Sequence, residues 1–249
     1  MTKGFSPKDV VCGSADLRAG GTLAQPFDVI HPDRRRRLHL WAELVVLFVG
    51  LPLLMRIAVF DYRIPLFYAL PPVLIGFVVF LYYDRTFSLK KEISGAISGP
   101  VALSILGTFA IGSALIGSLV AVVMPDRLFA LAAERPGLWL KIMTLYPFTS
   151  VLAQEFAYRV FFFHRYGSLF RSRWTLIFVN ALAFGFAHIL FRNWIAVGGT
   201  FVIGLLLAWR YERTRTFWPV YVEHVIWGWF AFTIGLGVYF FTGVKNPAW

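Results

Sequence analysis

The stretch GPVALSILGTFAIGSALIGSLVAVVM, residues 99–124, decides the fold class. It contains no charged residue, and it exceeds the roughly 20 apolar residues that an α-helix needs to cross a bilayer. Six further apolar stretches approach that length, at residues 38–60, 64–83, 141–165, 174–191, 194–209 and 217–242. Because lipid offers the backbone no hydrogen bonds, such runs must be helical, and they are too long for barrel strands of about 10 residues. The sequence therefore predicts an all-α, polytopic transmembrane helical bundle of about seven spans, within a range of six to eight.

The composition of the whole chain agrees with a membrane protein. Of its 249 residues, 58% are hydrophobic and only 15% are charged, unlike the usual composition of a soluble globular domain. The formal net charge of +11 comes from Lys and Arg that gather at the ends of the apolar runs. Because the basic residues lie there and no phosphate-binding Gly-rich loop is present, we expect membrane lipid and no nucleic acid as a partner.

The basic residues also predict an orientation. Four consecutive arginines, residues 34–37, end a polar stretch at residues 1–37 that we expect to be a basic cytoplasmic tail. Alternate loops are then basic too, with Arg85, Lys90 and Lys91, then Arg165, Arg171 and Arg173, then Arg210, Arg213 and Arg215. This pattern predicts a cytoplasmic N-terminus and a single transmembrane domain at residues 38–249. The compact size favours a bacterial inner (plasma) membrane.

Ionisable side chains inside the apolar stretches are candidate functional residues. At the centre of a spanning helix such a group costs roughly 2.5–3.5 kcal/mol on insertion scales, so it is rare. The polar residues of the fourth, fifth and seventh stretches are Gln154, Glu155, Arg159, Asn180, His188, Glu223 and His224. Glu155 and Arg159 are four residues apart and can pair on one helix face. Such a pair alone is as compatible with simple charge neutralisation as with catalysis.

Three of these residues predict a site within the membrane. At about 1.5 Å of rise per residue, Glu155 lies about 15 Å from the cytoplasmic end of its helix, His188 about 21 Å and His224 about 10 Å. A carboxylate and two imidazoles in a dry cavity can activate a water molecule, because the carboxylate accepts its proton and an imidazole orients it or protonates a leaving amine. The same side chains are also a potential three-ligand zinc site, although a metal-free site is favoured.

Three short motifs resemble those of one known family. The chain has Q-E-F-A-Y-R at residues 154–159, F-G-F-A-H at residues 184–188 and H-V-I-W-G at residues 224–228. They are similar to the motifs E-E-x-x-x-R, F-x-x-x-H and H-x-x-x-N or D of the CAAX-protease and bacteriocin-processing (CPBP, also called Abi) intramembrane endopeptidases. The resemblance covers about residues 141–242, which would be the catalytic core, and leaves residues 38–124 as accessory spans.

The resemblance implies an intramembrane endopeptidase that hydrolyses a peptide bond near a membrane-embedded or lipid-modified segment of a peptide or protein substrate. It implies that Glu155 and His188 activate water and that His224 polarises the scissile carbonyl, without a metal cofactor. The residues expected to support these three are Gln154, Arg159, Phe184, Asn193 and Glu223.

Two positions depart from the family pattern. Gln154 replaces the first glutamate, and because a neutral amide is no general base, Glu155 must take that role through a small helix rotation or a local irregularity. Gly228 replaces the Asn or Asp of the third motif, which removes an oxyanion donor that Asn193 or Trp227 could replace. The alternatives are therefore an active protease and a catalytically inactive scaffold or immunity-type protein of the same fold. A transporter with a proton relay is a third.

Overall fold

The computed structural model describes residues 33–240, so most of the predicted tail lies outside it. No β-strand occurs within that range, and the predicted all-α class is confirmed. The helices are α1 (Arg34–Phe60), α2 (Leu66–Tyr83), α3 (Leu89–Ser94), α4 (Gly99–Val123), α5 (Ala130–Glu134), α6 (residues 136–166), α7 (Arg173–Phe191), α8 (Trp194–Thr214) and α9 (Phe217–Thr233). Short 3₁₀ turns follow α4 at Pro125–Arg127 and α9 at Leu236–Phe240.

Four of these helices are long and apolar enough to cross a membrane. They are α1, α4, α7 and α8, with 27, 25, 19 and 21 residues. Each of the other predicted stretches also falls on a helix, although α2 has a shorter apolar segment, Tyr68–Tyr83. The count of seven spans and the cytoplasmic N-terminus therefore stay predictions.

The first helix begins earlier than its apolar stretch. The side chain of Asp33 accepts a hydrogen bond from the backbone N–H of Arg36 at 2.7 Å, and such a cap stabilises a helix start. The four consecutive arginines thus form the first turn of α1.

The outer face of α4 is apolar and exposed. Leu103, Leu115 and Val122 have 72%, 68% and 81% of their surfaces exposed. Water would disfavour such a face, whereas lipid accommodates it. Together with the four long apolar helices, this surface indicates an integral membrane protein, while the bacterial inner membrane stays a prediction.

Helices α7 and α8 form a tight hairpin at the Arg192–Asn193 step. Arg192 adopts a left-handed conformation with φ 59°, which ends α7 and reverses the chain. Asn193 then caps α8, because its Oδ1 accepts a hydrogen bond from the backbone N–H of Ala196 at 2.7 Å.

The end of α6 is the aromatic centre of the bundle. Phe161 packs against Phe77 of α2 with ring centroids 4.6 Å apart, and Phe162 packs edge-on against Phe48 of α1 at 5.0 Å. Phe48, Phe161 and Phe162 are each at most 1% exposed. These contacts hold α1 and α2 against the helix that carries the first motif.

Polar contacts tie α1 and α2 to that same end of α6. Arg165 donates two hydrogen bonds of 2.8 Å to the carboxylate of Glu43 in α1. His164 Nε2 lies 3.1 Å from Oδ2 of Asp84, which directly follows α2. Burial alone would raise the pKa of Asp84, but hydrogen bonds from Thr86 and His164 lower that pKa to about 2. This tie therefore keeps the carboxylate of Asp84 charged at neutral pH.

Candidate active site

The helix α6, which carries the first motif, contains two π-helical segments. They are Pro147–Val151 and Phe156–Phe161, on either side of the α-helical segment Leu152–Glu155. Pro147 has no backbone N–H to donate to the carbonyl of Met143, and the indole Nε1 of Trp229 donates to it instead at 2.9 Å. Such π-helical segments are frequent at functional sites. The local irregularity that the sequence analysis requires near Glu155 is thus present.

Glu155 is completely buried and shares its carboxylate between two partners. Its Oε1 lies 2.7 Å from Nδ1 of His224, in a hydrogen bond between α6 and α9. Its Oε2 lies 3.3 Å from Nε of Arg159, in an ion pair without hydrogen-bond geometry. The predicted pairing of Glu155 with Arg159 is confirmed, and its carboxylate also binds the histidine of the third motif.

Arg159 is completely buried as well and connects α6 to α7. Its Nη1 donates a hydrogen bond to Oδ1 of Asn180, whose Nδ2 donates to the backbone carbonyl of Tyr158. The guanidinium also lies 4.8 Å from the ring centroid of Phe184, a cation–π contact. Asn180, Phe184 and His188, spaced by four residues, are all buried on one face of α7. Arg159 therefore fixes this face against the helix that carries Glu155.

His188 is oriented by its own helix. Its Nδ1 lies 2.8 Å from the carbonyl oxygen of Phe184, and because a carbonyl only accepts, Nδ1 must carry the hydrogen. In the neutral ring Nε2 is then an acceptor. The ring of Phe184 contacts both imidazoles, with centroids 4.9 Å from His188 and 5.6 Å from His224. Glu155 thus contacts His224 directly, and His188 lies beyond Phe184 and bonds to a carbonyl.

His224 has partners at both ring nitrogens. Nδ1 faces Glu155, and Nε2 lies 3.1 Å from the hydroxyl oxygen of Tyr146, near the middle of α6. Tyr146 is not among the site residues that the sequence predicts. In an apolar stretch with several aromatic residues, one tyrosine resembles a packing residue. The only sign in the sequence that another residue approaches His224 was the absence of a side chain at Gly228.

Gln154 and His188 face a shared cavity. The cavity has about 730 Å³ of empty space, its open side included, and is lined mainly by apolar side chains of α1, α2, α6 and α7. Gln154 donates a hydrogen bond from Nε2 to Oγ of Ser150 at 2.7 Å, while its Oε1 is buried without a partner. Glu155 does not line this cavity. Gln154, at the position of the first glutamate of the motif, therefore lines the same cavity as His188, whereas Glu155 contacts His224.

Asn193 has a structural position outside the site. Besides capping α8, it donates hydrogen bonds from Nδ2 to the carbonyl oxygens of Phe191 and Tyr239, at 3.1 and 2.9 Å. These contacts join the α7–α8 hairpin to the turn after α9. The amide of Asn193 is thus already engaged, and the structure places no contact between it and His224.

Glu223 forms a second buried ion pair instead of joining Glu155. Its carboxylate accepts hydrogen bonds from Nε and Nη2 of Arg210, at 2.8 and 3.0 Å. Ser104 and Thr108 of α4 complete this network, at 2.9 Å from Arg210 and 3.1 Å from Glu223. The assignment of Arg210 to a basic loop was wrong, because this side chain is 3% exposed inside the bundle. A carboxylate on the next helix allows the charge to be buried.

The donor set around Glu155 does not form a three-ligand metal site in this conformation. In the part of the chain that the structure describes, no three His, Cys, Asp or Glu side chains lie close enough to hold one ion. Glu155 and His224 bond to each other, whereas Nδ1 of His188 bonds to Phe184. A shared zinc ion would therefore require His188 to rearrange.

Comparison with known proteins gives one match. Residues 135–230, less than half of the chain, match a family model described as Rce1-like: type II CAAX prenyl endopeptidase Rce1-like. The matched segment begins at the start of α6, ends within α9 and contains all three motifs. The family resemblance stated from the motifs is therefore confirmed for this segment, whereas the division into accessory and core spans stays a prediction. No curated protein and no solved structure matches the chain.

Proposed function

We propose, on the premise that residues 135–230 resemble the type II CAAX prenyl endopeptidases, that this protein is an intramembrane endopeptidase. It cleaves a peptide bond near a membrane-embedded or lipid-modified segment, by water that glutamate and histidine activate without a metal. The observation that carries this proposal is the buried hydrogen bond of 2.7 Å between Glu155 and His224, beside a cavity that His188 lines.

The first step of the proposed reaction is attack by water. With its hydrogen on Nδ1, neutral His188 offers Nε2 as the acceptor of a proton from a water molecule in the cavity. The water oxygen then bonds to the scissile carbonyl carbon, and the carbonyl oxygen becomes an oxyanion. The proton held by His188 passes to the leaving nitrogen as the C–N bond breaks, which yields a carboxylic acid and an amine.

The proposed role of Glu155 is to support His224 through this step. In its protonated form His224 donates from Nε2 to the oxyanion, and the Glu155 carboxylate at Nδ1 compensates the positive charge of the ring. Arg159 holds the other carboxylate oxygen by the 3.3 Å ion pair. Glu155 thus acts indirectly, through the imidazole that it orients towards the oxyanion, while His188 takes the proton of the water.

Cleavage of membrane peptides tests the proposal. We expect purified wild type to cleave members of a library of membrane-anchored peptides, and His188→Ala to lose about 10²–10⁴-fold in kcat because the water loses its proton acceptor. Mass spectrometry of the products measures both. Chelators such as EDTA and 1,10-phenanthroline are expected to leave the rate unchanged; a loss that zinc restores would replace the metal-free proposal with a zinc enzyme. Equal cleavage by wild type and His188→Ala would reject the assignment.

The alternative function is a catalytically inactive membrane scaffold or immunity-type protein. It is favoured by the neutral Gln154, whose Oε1 is buried without a partner at the cavity. This alternative requires packing and not ionisable groups. A Cβ on Gly112 would lie 2.5 Å from Cη2 of Trp227, so Gly112→Leu would separate α4 from α9. A scaffold would lose its cellular phenotype with Gly112→Leu and keep it with His188→Ala.

The change Gln154→Glu distinguishes a slow enzyme from a catalytically inactive protein of the same fold. It introduces a carboxylate into the cavity that His188 lines, and we expect kcat to rise by about 10-fold or more because a general base joins the neutral imidazole. The same peptide assay measures the rate. Gln154→Met is the control for size without charge, and a rise with both variants would contradict the general-base explanation.

A further inference from the structure

Tyr146 holds the nitrogen of His224 that the proposed reaction uses. Its hydroxyl oxygen lies 3.1 Å from Nε2, while Glu155 occupies Nδ1. The three side chains therefore form one continuous chain of hydrogen bonds, Glu155–His224–Tyr146, between α6 and α9. Tyr146 directly precedes Pro147, where the π-helical part of α6 begins.

The space for the Tyr146 ring exists because residue 228 is glycine. A Cβ built on Gly228 would lie 2.5 Å from the Tyr146 hydroxyl oxygen and would also overlap the ring. Any other side chain at position 228 therefore displaces the tyrosine. The absence of a side chain at Gly228 thus makes room for the Tyr146 hydroxyl that contacts His224.

The Tyr146 ring is held by packing as well. It makes an edge contact with Phe232, with ring centroids 5.5 Å apart, and a second edge contact with His224 itself at 6.1 Å. Both contacts come from α9, so the hydroxyl and the imidazole are positioned by the same helix. The placement of the hydroxyl is thus a property of the packed interface between α6 and α9.

The two other candidates for this place, Asn193 and Trp227, form no hydrogen bond with His224, whose partners are Glu155 and Tyr146. The amide of Asn193 bonds to backbone groups of the α7–α8 hairpin and of the last turn. The ring of Trp227 packs against Phe109 of α4, with centroids 5.2 Å apart, and its Nε1 is buried without a partner. Neither side chain has a contact with His224 like that of Tyr146.

We infer that Tyr146 is a positioning residue for His224, in the space that an Asn or Asp side chain at position 228 would need. This inference rests on the proposed function. The hydroxyl donates to Nε2 of the neutral ring, whose hydrogen lies on Nδ1 towards Glu155, and so fixes the orientation of the imidazole before the ring is protonated and donates from Nε2 to the oxyanion. The hydroxyl of Tyr146 contacts the imidazole of His224, so it acts through His224 and not on the substrate directly.

Tyr146→Phe removes the hydroxyl and keeps the ring. We expect kcat to fall by about 10²-fold while KM stays within about 2-fold, because the lost hydrogen bond orients the oxyanion donor and does not bind substrate. The matched control is Tyr166→Phe, which removes a hydroxyl that donates to Glu43 at 3.0 Å, away from the site. The control is expected to keep the wild-type kcat.

A spectroscopic measurement separates the inference from the activity itself. In ¹⁵N NMR of histidine-labelled protein in nanodiscs, Tyr146→Phe is expected to shift the Nε2 resonance of His224 and to leave that of His188 unchanged. An unchanged His224 resonance, or an unchanged kcat in a cleaving enzyme, overturns the inference. If wild type cleaves no membrane peptide, the proposed function fails, and the catalytic role of Tyr146 falls with it; the spectrum still decides the hydrogen bond.

The two positions also predict a rescue that a packing role alone would not give. Gly228→Asn is expected to lose cleavage through the clash with Tyr146, and the double variant Gly228→Asn, Tyr146→Ala is expected to recover at least 10-fold of it. The double variant Gly228→Ala, Tyr146→Ala relieves the same clash without a polar group. Equal recovery by both doubles would contradict the positioning role.

Discussion

Glu155→Gln is expected to lower kcat/KM for a membrane peptide by about 10²–10⁴-fold. An amide neither compensates the charge of protonated His224 nor fixes its tautomer as the carboxylate does across the 2.7 Å hydrogen bond. Cleavage of a fluorogenic membrane peptide, normalised to folded protein, measures the effect. A rate within about 3-fold of wild type would reject Glu155 as part of the mechanism.

The controls for Glu155→Gln address its cost to folding. The variant leaves the buried charge of Arg159 without its carboxylate at 3.3 Å, so thermal unfolding must be measured beside activity. His224→Gln keeps that ion pair and is expected to lose a similar activity with less effect on unfolding. Glu43→Gln breaks a comparable Arg–Glu pair away from the site, with Arg165, and is expected to keep the wild-type kcat.

Glu223→Gln is expected to lower the free energy of unfolding by about 3–5 kcal/mol. The change removes the charge that neutralises Arg210, which is 3% exposed and held by two hydrogen bonds. It also weakens the contact from Thr108, so α4, α8 and α9 lose a common anchor. Unfolding by SDS in mixed micelles, followed by tryptophan fluorescence, measures the loss.

The apolar double variant is the control for this ion pair. Arg210→Met with Glu223→Leu removes both charges and is expected to be more stable than Glu223→Gln alone, because no uncompensated charge stays buried. A loss below about 1 kcal/mol in Glu223→Gln would show that water or lipid headgroups reach Arg210.

Much of the fold could be predicted from hydropathy, because the bilayer requires long helices. The apolar stretch at residues 99–124 became α4 with almost the same ends, Gly99–Val123. The start of α1 was harder to predict, since the capping residue Asp33 lies before the apolar stretch begins. The number of membrane spans is also hard to predict, because a helix such as α2 is apolar but short.

The candidate site could be predicted in part, because ionisable residues are rare in apolar helices and are easily recognised in the sequence. Glu155, Arg159, His188 and His224 were identified for this reason, and all four are buried. The pairing of Glu155 with His224 could not be predicted, since π-helical segments change which side of α6 each residue faces. Arg210 was misassigned because a charge near the end of an apolar stretch resembles a loop residue until its partner is known.

The polar ties of α1 and α2 to α6 lie at one end of the cavity beside His188. Glu43 and Asp84 fasten the two helices at one end of α6, whereas Arg159 and Asn180 lock α6 to α7. The cavity walls from α1 and α2 lie beyond those ties and are apolar, with Leu47, Leu51, Met55, Leu70 and Val73. The cavity wall that these two helices form is thus apolar, and the hydrophobic effect favours an apolar chain over a polar one against it.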